Sequence, residues 1–259
     1  MMGTAELIQQ TRVPLGSAAI FWLAQAGFAF KAPSGQVAFV DAYLTHSCET
    51  GGAWRRVMAP VMIPEEVEAD IYVTTHEHGD HLDVQAVPVI AQRQPNTIFV
   101  GSPTCVKHFR SYGISEDRIW TLRPGDHYRL GAIELIAMFA DHGEGCPDGV
   151  GVIFDIEGIR IYHMGDTCLN VAKLEPLAAM GIDVLIPPIN GRFGNMDSKD
   201  AALAAATVKA KVVIPSHYWL FVEHGGDPEQ FMQIVPQIAP GTKPLLMTQG
   251  SQYLYSKYA

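Results

Sequence analysis

The stretch Thr74-Thr75-His76-Glu77-His78-Gly79-Asp80-His81-Leu82-Asp83 carries the strongest signal in the chain, and it directly follows the apolar run Ile71-Tyr72-Val73. Its first two histidines are two residues apart, so in an extended or turning segment they can point the same way. Its aspartate and third histidine begin the next turn, so one short loop can serve two ions about 3.5–4 Å apart. Imidazole and carboxylate suit zinc, manganese or iron. Because a solvated loop rarely gathers these groups after a buried strand, the stretch predicts a binuclear metal site.

Other candidate ligands follow three further apolar runs. His142 comes after residues 133–139, Asp166 after 159–162 and His217 after 212–215. A side chain just past the end of a buried strand is held rigidly and stays open to solvent. We therefore assign three ligands to each ion and a bridging carboxylate to both. The first ion is assigned to His76, His78 and His142, the second to Asp80, His81 and His217, and the bridge to Asp166.

The remaining five histidines are predicted to lie outside the ligand set. His46, His108, His127 and His224 are interpreted as surface residues or as partners of ligands. His163 precedes Asp166 closely enough to be such a partner, a role that metal-binding groups usually require.

The order of elements favours an α/β fold made of two covered sheets. Strands are expected at 37–43, 71–75 and 98–100, with a strand pair within 18–30 and helices at 84–93 and 105–112. A β-meander is expected at 119–122, 128–130, 133–139, 150–156 and 159–163. Helices at 171–180, 198–209 and 228–238 then alternate with strands at 184–187, 212–215 and 245–248. Two such halves packed sheet to sheet form a four-layer αββα sandwich. With no linker or repeat, residues 1–259 are expected to form one domain.

Composition limits the class of protein. The 259 residues are 48% hydrophobic and 17% charged, with 27 acidic against 18 basic side chains and a net charge of −9. The chain lacks a Lys/Arg run, which disfavours nucleic-acid binding. The N-terminal segment lacks a signal-peptide pattern, so we expect a cytoplasmic protein that does not enter the membrane. The four cysteines form no C-x-x-C pair and are expected to be reduced thiols.

The metal pattern resembles that of the metallo-β-lactamase superfamily, and further segments resemble its L-ascorbate-6-phosphate lactonase-like branch. These segments are WLAQAGF (22–28), FVDAYL (39–44), RPGD (123–126), PING (188–191), GNM (194–196) and IPSHY (214–218). The resemblance runs over nearly the whole chain. It implies an αββα metallo-β-lactamase sandwich, two divalent metal ions (Mn or Zn) and a homo-oligomer.

The expected activity is hydrolysis of a lactone or another carboxylic ester by a metal-bound hydroxide. The expected substrate is a small, polar, anionic molecule resembling a sugar-acid phosphate. Asp80 is the candidate catalytic residue, because it can orient the hydroxide or accept its proton. Asn190, Arg192 and Tyr218 are candidate substrate contacts, with Arg192 as the partner of a phosphate or carboxylate; a surface turn and plain packing are the alternatives. Phosphodiester hydrolysis and a catalytically silent metal-binding protein remain open.

Overall fold

The strands form two seven-stranded mixed sheets in a computed structural model, which describes residues 2–50 and 52–258. The strands of the first sheet are β1 (Ser17–Ala24), β2 (Gly27–Lys31), β3 (Val37–Val40), β4 (Ile71–Thr74), β5 (Ile98–Gly101), β6 (Ile119–Thr121) and β14 (Gln252–Ser256). Those of the second are β7 (His127–Leu130), β8 (Ile133–Phe139), β9 (Val150–Ile156), β10 (Ile159–His163), β11 (Val184–Ile186), β12 (Val212–Val213) and β13 (Lys243–Pro244).

The two sheets repeat one topology. Their strand orders are β14-β1-β2-β3-β4-β5-β6 and β7-β8-β9-β10-β11-β12-β13. Read in these orders, the first three pairings of each sheet are antiparallel and the last three are parallel. Carboxyl ends of parallel strands are where α/β sheets place their ligand sites, so each sheet offers such an edge.

Helices cover the outer faces of the sheets. They are α1 (Thr4–Gln10), α2 (Ala86–Arg93), α3 (Pro103–Ser111), α4 (Val171–Leu174), α5 (Ser198–Val208) and α6 (Pro228–Ile238). Among the described residues, none of these helices is long and apolar enough to cross a membrane.

Alternation along the strands explains the layers. On β3, Phe39 packs in a cluster with residues of α2 and α3, whereas Val40 points to the opposite face. Between the sheets, the rings of Phe30 and Phe154 lie 4.7 Å apart, and burial of each contributes about 1.5–3 kcal/mol. The predicted αββα sandwich is confirmed, as is the strand pair within 18–30, which forms the hairpin β1–β2.

Several elements differ from the predictions, and residues 119–122, expected in the meander, contain β6, which pairs with β5 in the first sheet. Residues 245–248 do not form a strand; the edge strand β13 ends at Pro244, and β14, which was not predicted, pairs with β1. The single helix expected at 171–180 is divided into α4 and a 3₁₀ helix, Glu175–Ala179, because Pro176 lacks an amide donor. Helix α1 was also missed; its last carbonyls, of Ile8 and Gln9, accept hydrogen bonds from the buried Lys31 ammonium.

Candidate metal centre

The seven predicted ligands lie together at one edge of the sandwich, beyond the carboxyl ends of strands from both sheets. His76 follows β4, His142 follows β8, Asp166 follows β10 and His217 follows β12, each within four residues of the strand end. The remaining three lie in the loop after His76, where the amide of His81 donates to the carbonyl of His78 at 2.9 Å.

Asp166 enters the site through a turn that requires glycine. Gly165 has a φ of +63°, and a Cβ at this position would lie 2.8 Å from the carbonyl oxygen of Val150. Any side chain would therefore clash with β9. The Asp166 carboxylate is also oriented by Asn195, whose Nδ2 donates to Oδ2 at 2.7 Å. The turn and the amide together fix the carboxylate between the histidines.

The first group of donors consists of His76, His78 and His142, as assigned from the sequence. Their ring nitrogens lie within 4.8 Å of one another. The Nε2 of His76 is 3.0 Å from the Nδ1 of His78, and the Nε2 of His142 is 3.5 Å from the Oδ2 of Asp166. This group can hold one ion with Asp166 beside it.

A second group surrounds the other side of Asp166. The Nε2 of His81 lies 3.3 Å from its Oδ1, and the Nε2 of His217 lies 3.1 Å from its Oδ2. The two imidazole nitrogens are 3.2 Å apart. Asp80 completes the group, with its Oδ2 at 3.5 Å from the Nε2 of His217. The Asp166 carboxylate thus lies between the two groups, with its Oδ2 near both His142 and His217 and its Oδ1 near His81.

His224, predicted to be a surface residue or a partner of a ligand, is buried in this centre beside Asp80. Its ring nitrogen lies within 4.8 Å of the ligand atoms of Asp80 and His217, and the residue is only 3% exposed. The sequence gives only a weak indication that His224 lies near the other candidate ligands. His224 follows no strand, and only the Gly225-Gly226 pair after it marks the turn that returns it to the site.

Asp41, which the sequence reasoning did not assign, orients the second group from behind. It is fully buried and accepts hydrogen bonds from the amide and the hydroxyl of Thr75 at 2.8 and 2.7 Å. It also contacts the Nδ1 of His81 at 2.8 Å. A carboxylate at Nδ1 keeps the proton there, so Nε2 presents its lone pair to the metal position. Asp41 follows β3 directly, so its place beyond a strand end could have revealed it.

His163 does not contact the carboxylate of Asp166 as a hydrogen-bond partner. Its Nε2 is 2.8 Å from the carbonyl oxygen of Ala26, and its Nδ1 accepts from the amide of Gly165 at 3.3 Å. Its role is to hold the turn before Asp166 against the β1–β2 hairpin.

The donor set fits divalent cations. Ligands that share one zinc ion at about 2.0–2.1 Å in a tetrahedron lie roughly 3.4 Å apart, close to the separations found here. The Oδ1 of Asp166 is buried and lacks a hydrogen-bond partner. Burial lowers the pKa values of His76 and His142, so both rings are neutral, which is the form that binds metals.

His81 shows that the centre favours a positive charge. Burial alone would lower its pKa, but the carboxylates of Asp166, Asp80 and Asp41 outweigh burial and raise that pKa well above its usual value. A cation among these carboxylates would supply the same compensation. The residues present therefore fit the metal ions that the sequence predicts.

The centre forms the floor of a cleft of about 510 Å³. The cleft is lined by Ser47, Cys48, Thr50, Trp54, His78, Gly79, Asp80, His142, Asp166, Phe193, His217, Phe221 and His224. Trp54, Phe193 and Phe221 form an aromatic wall, in which the ring of Trp54 lies 5.7 Å from each of the other two rings.

The three predicted substrate contacts do not line this cleft. Arg192 donates to the carbonyl oxygen of Glu223 at 2.8 Å, and Asn190 donates to the backbone of Arg192 at 3.2 Å. Tyr218 is buried and stacks on Trp22 with ring centroids 5.2 Å apart. Asn190 and Arg192 thus stabilise loops behind the aromatic wall, and Tyr218 packs the core, so a substrate in the cleft would meet other residues.

Comparison with known proteins agrees with this geometry. A family model described as a β-lactamase superfamily domain matches residues 19–217, which include all seven predicted ligands. The chain is 28% identical over 238 residues to a metal-dependent hydrolase of Hyperthermus butylicus, covering 90% of this chain and 98% of that protein. It is 26% identical over 298 residues to a probable L-ascorbate-6-phosphate lactonase of Salmonella heidelberg, covering 96% and 84%.

A solved structure shows the same fold. It is that of a metallo hydrolase from Ignicoccus hospitalis, which superposes with a TM-score of 0.77 at 21% identity and covers 93% of this chain and 99% of that one. The chain therefore belongs to the β-lactamase superfamily and has the metallo-β-lactamase fold of metal-dependent hydrolases.

Proposed function

We propose that this protein is a metal-dependent hydrolase that cleaves a lactone or another carboxylic ester with a neutral, apolar ring beside the scissile bond. One observation carries the proposal: the cleft combines a floor of histidines and aspartates with a wall formed by Trp54, Phe193 and Phe221. Divalent ions held by the floor would make water acidic and polarise the substrate carbonyl.

Asp80 is the proposed catalytic residue. Its side chain lines the cleft, is 16% exposed and is held by Gln25, whose Nε2 donates to Oδ2 at 2.8 Å. Burial opposes ionisation of this carboxyl, but His81, His217 and His224 together lower its pKa below the usual value. Asp80 is therefore ionised at neutral pH, and it can orient a water molecule and accept its proton.

The walls favour a different substrate class from the anionic sugar-acid phosphate expected from the sequence. In the part of the chain that the structure describes, no lysine or arginine lines the cleft, so a distant phosphate would have no cationic partner there. Ser47 and Thr50 offer hydroxyl groups, while the aromatic wall offers ring faces and edges. A neutral ester with an apolar ring is the substrate most complementary to these hydroxyl groups and aromatic rings.

A lactone panel tests the reaction and the substrate class together. With manganese or zinc bound, we expect kcat/KM for the aromatic lactone dihydrocoumarin to exceed that for δ-valerolactone by about tenfold, because aromatic packing contributes about 0.5–1.5 kcal/mol beyond area burial. The two lactones share the six-membered ring that is cleaved, but the fused benzene ring also makes dihydrocoumarin an aryl ester with a better leaving group. Each kcat/KM is therefore divided by the rate constant of that lactone's hydrolysis by hydroxide before the comparison. Initial rates measured by pH-stat provide the comparison.

Three other outcomes of the panel would contradict the proposal in different ways. Turnover of bis(p-nitrophenyl) phosphate alone would favour a phosphodiesterase. Preference for a phosphorylated sugar lactone would reject the apolar substrate class and restore the anionic one. Absence of turnover with either metal would favour a silent metal-binding protein.

Truncation of the aromatic wall should affect only the aromatic substrate. Phe193 is 55% exposed, so Phe193→Ala should leave the fold intact. We expect the KM for dihydrocoumarin to rise about tenfold, with the constants for δ-valerolactone nearly unchanged. Val222→Ala is the matched control, since Val222 is exposed in the loop of Phe221 but does not line the cleft. Equal losses for both lactones would show that Phe193 does not contact the ring.

A further inference from the structure

The loop between β12 and α6 returns His224 to the metal centre. His217 and Trp219 both have a φ of +57°, and the amide of Trp219 donates to the carbonyl of Gly225 at 3.1 Å. The amide of His224 donates to the carbonyl of Phe221 at 3.1 Å. The backbone therefore reverses within a few residues. As a result, the imidazole centroids of His217 and His224 are only 4.5 Å apart.

The contacts of His224 leave its Nδ1 without a hydrogen-bond partner. Its ring packs against Phe221 and Trp54, with centroids 4.8 and 5.8 Å away. Its Nδ1 is buried and has no hydrogen-bond partner, which costs about 1–3 kcal/mol for a buried polar group. A phenylalanine would satisfy the same packing without that cost. The aromatic contacts thus set the direction of the ring, and its Nε2 faces Asp80.

The donor atoms around Asp80 have the spacing of a shared ion. The Oδ2 of Asp80 lies 3.5 Å from the Nε2 of His224, 3.5 Å from that of His217 and 3.7 Å from that of His81. Tetrahedral zinc ligands at about 2.0–2.1 Å lie roughly 3.4 Å from one another. The donor atoms of Asp80, His217 and His224 thus lie within 4.8 Å of one another, and the Nε2 of His81 adjoins this group at Asp80 and at His217.

We infer that His224 is an additional protein ligand of the second metal position, beside Asp80, His81 and His217. The inference rests on the metal centre and is independent of the substrate. It makes the centre asymmetric, because the first group found among the described residues has three donors, His76, His78 and His142, whereas the second position would have four protein ligands besides Asp166. The second ion would be coordinated more fully by protein, and the first would keep more positions open for water and substrate.

His224→Phe tests this assignment while keeping a ring between Phe221 and Trp54. We expect the second ion to bind at least about a hundredfold more weakly, which exceeds the 10–100-fold loss typical of groups that only orient a ligand. The first ion should keep its affinity within about threefold. Chelator competition with zinc, followed by elemental analysis, gives both affinities without any activity assay.

Two further measurements separate a ligand from a packing residue. In cadmium-loaded protein with nitrogen-labelled histidine, a scalar coupling between spin-active cadmium and the Nε2 of His224 would show the bond directly. Denaturant unfolding of the metal-free variant should give a stability equal to or above that of the natural chain. If His224→Phe binds both ions as tightly as the natural chain, or weakens both equally, the assignment is wrong.

Discussion

Asp166→Asn is expected to release at least one metal ion and to lower kcat/KM by at least about a hundredfold, because metal ions contribute several kcal/mol to transition-state stabilisation. The Asp166 carboxylate is the group that faces both sides of the centre, with Oδ1 at 3.3 Å from the Nε2 of His81 and Oδ2 at 3.5 Å from that of His142. Asparagine keeps the shape of the side chain but replaces one carboxylate oxygen by an NH2 group, which donates hydrogen bonds and cannot bind a metal ion. Elemental analysis after dialysis, together with kcat/KM on the preferred lactone, measures both effects.

Asp155→Asn is the matched control for this variant. Asp155 is also a buried aspartate of the second sheet, but it lies at the β9–β10 turn, where it accepts from the amide of Gly158 at 2.6 Å and from Arg160 at 3.0 Å. Its replacement should lower stability and leave metal content and turnover unchanged. Retention of both ions with full turnover in Asp166→Asn would show that this carboxylate does not bridge them.

Most of the candidate metal centre could be located from the sequence because its predicted ligands follow strand ends. His142 is one of ten histidines in the chain, and by itself nothing distinguishes it. It was recognised because it follows the apolar run of β8, as Asp166 follows β10 and His217 follows β12. Alternating apolar periodicity locates strands reliably, and a sandwich brings their carboxyl ends to one edge.

His224 and the aromatic wall could not be predicted, because loop geometry places them. A backbone reversal at residues of positive φ brings His224 back beside His217, and no local sequence pattern predicts that these two histidines, seven residues apart, will meet. Trp54, Phe193 and Phe221 come from three separate loops, and they meet only after the sheets have packed. The same limit explains why Arg192, chosen for its charge, bonds to a carbonyl of its own chain instead of facing the cleft.

The strands at the edges of the sheets were not predicted correctly, for a different reason. β14 alternates exposed and half-buried residues, with only Tyr255 buried, so its apolar pattern is weak. Residues 245–248 are more apolar, yet β13 has already ended at Pro244, whose missing amide donor suits an edge strand. β14 therefore forms because it pairs with β1 at the edge of the first sheet. This pairing is a tertiary contact, and it leaves no periodic pattern in the sequence.

Asp41→Asn is expected to lower the affinity for the second ion by about 10–100-fold, although Asp41 is not assigned as a ligand. The carboxylate accepts from the amide and hydroxyl of Thr75 and holds the Nδ1 of His81 at 2.8 Å. Asparagine tolerates the φ of +46° found here, so the backbone should persist. The NH2 of asparagine, however, would face the donor groups of Thr75 and His81. His81 would then lose the acceptor that keeps the proton on Nδ1 and leaves Nε2 free to bind metal. Chelator competition with zinc measures the affinity.

The same variant should also destabilise the metal-free fold by about 1–3 kcal/mol, since a buried hydrogen-bond partner is lost. Asp183→Asn separates this effect from metal binding. Asp183 is equally buried and accepts from the amide of Arg160 at 2.9 Å, from Lys211 at 2.8 Å and from Tyr255 at 2.8 Å. Both variants should unfold at lower denaturant concentration, but only Asp41→Asn should lose the second ion. If the two variants bind metal alike, Asp41 stabilises the β3–β4 edge without orienting His81, and the tautomer of that ring must be set by the ion itself.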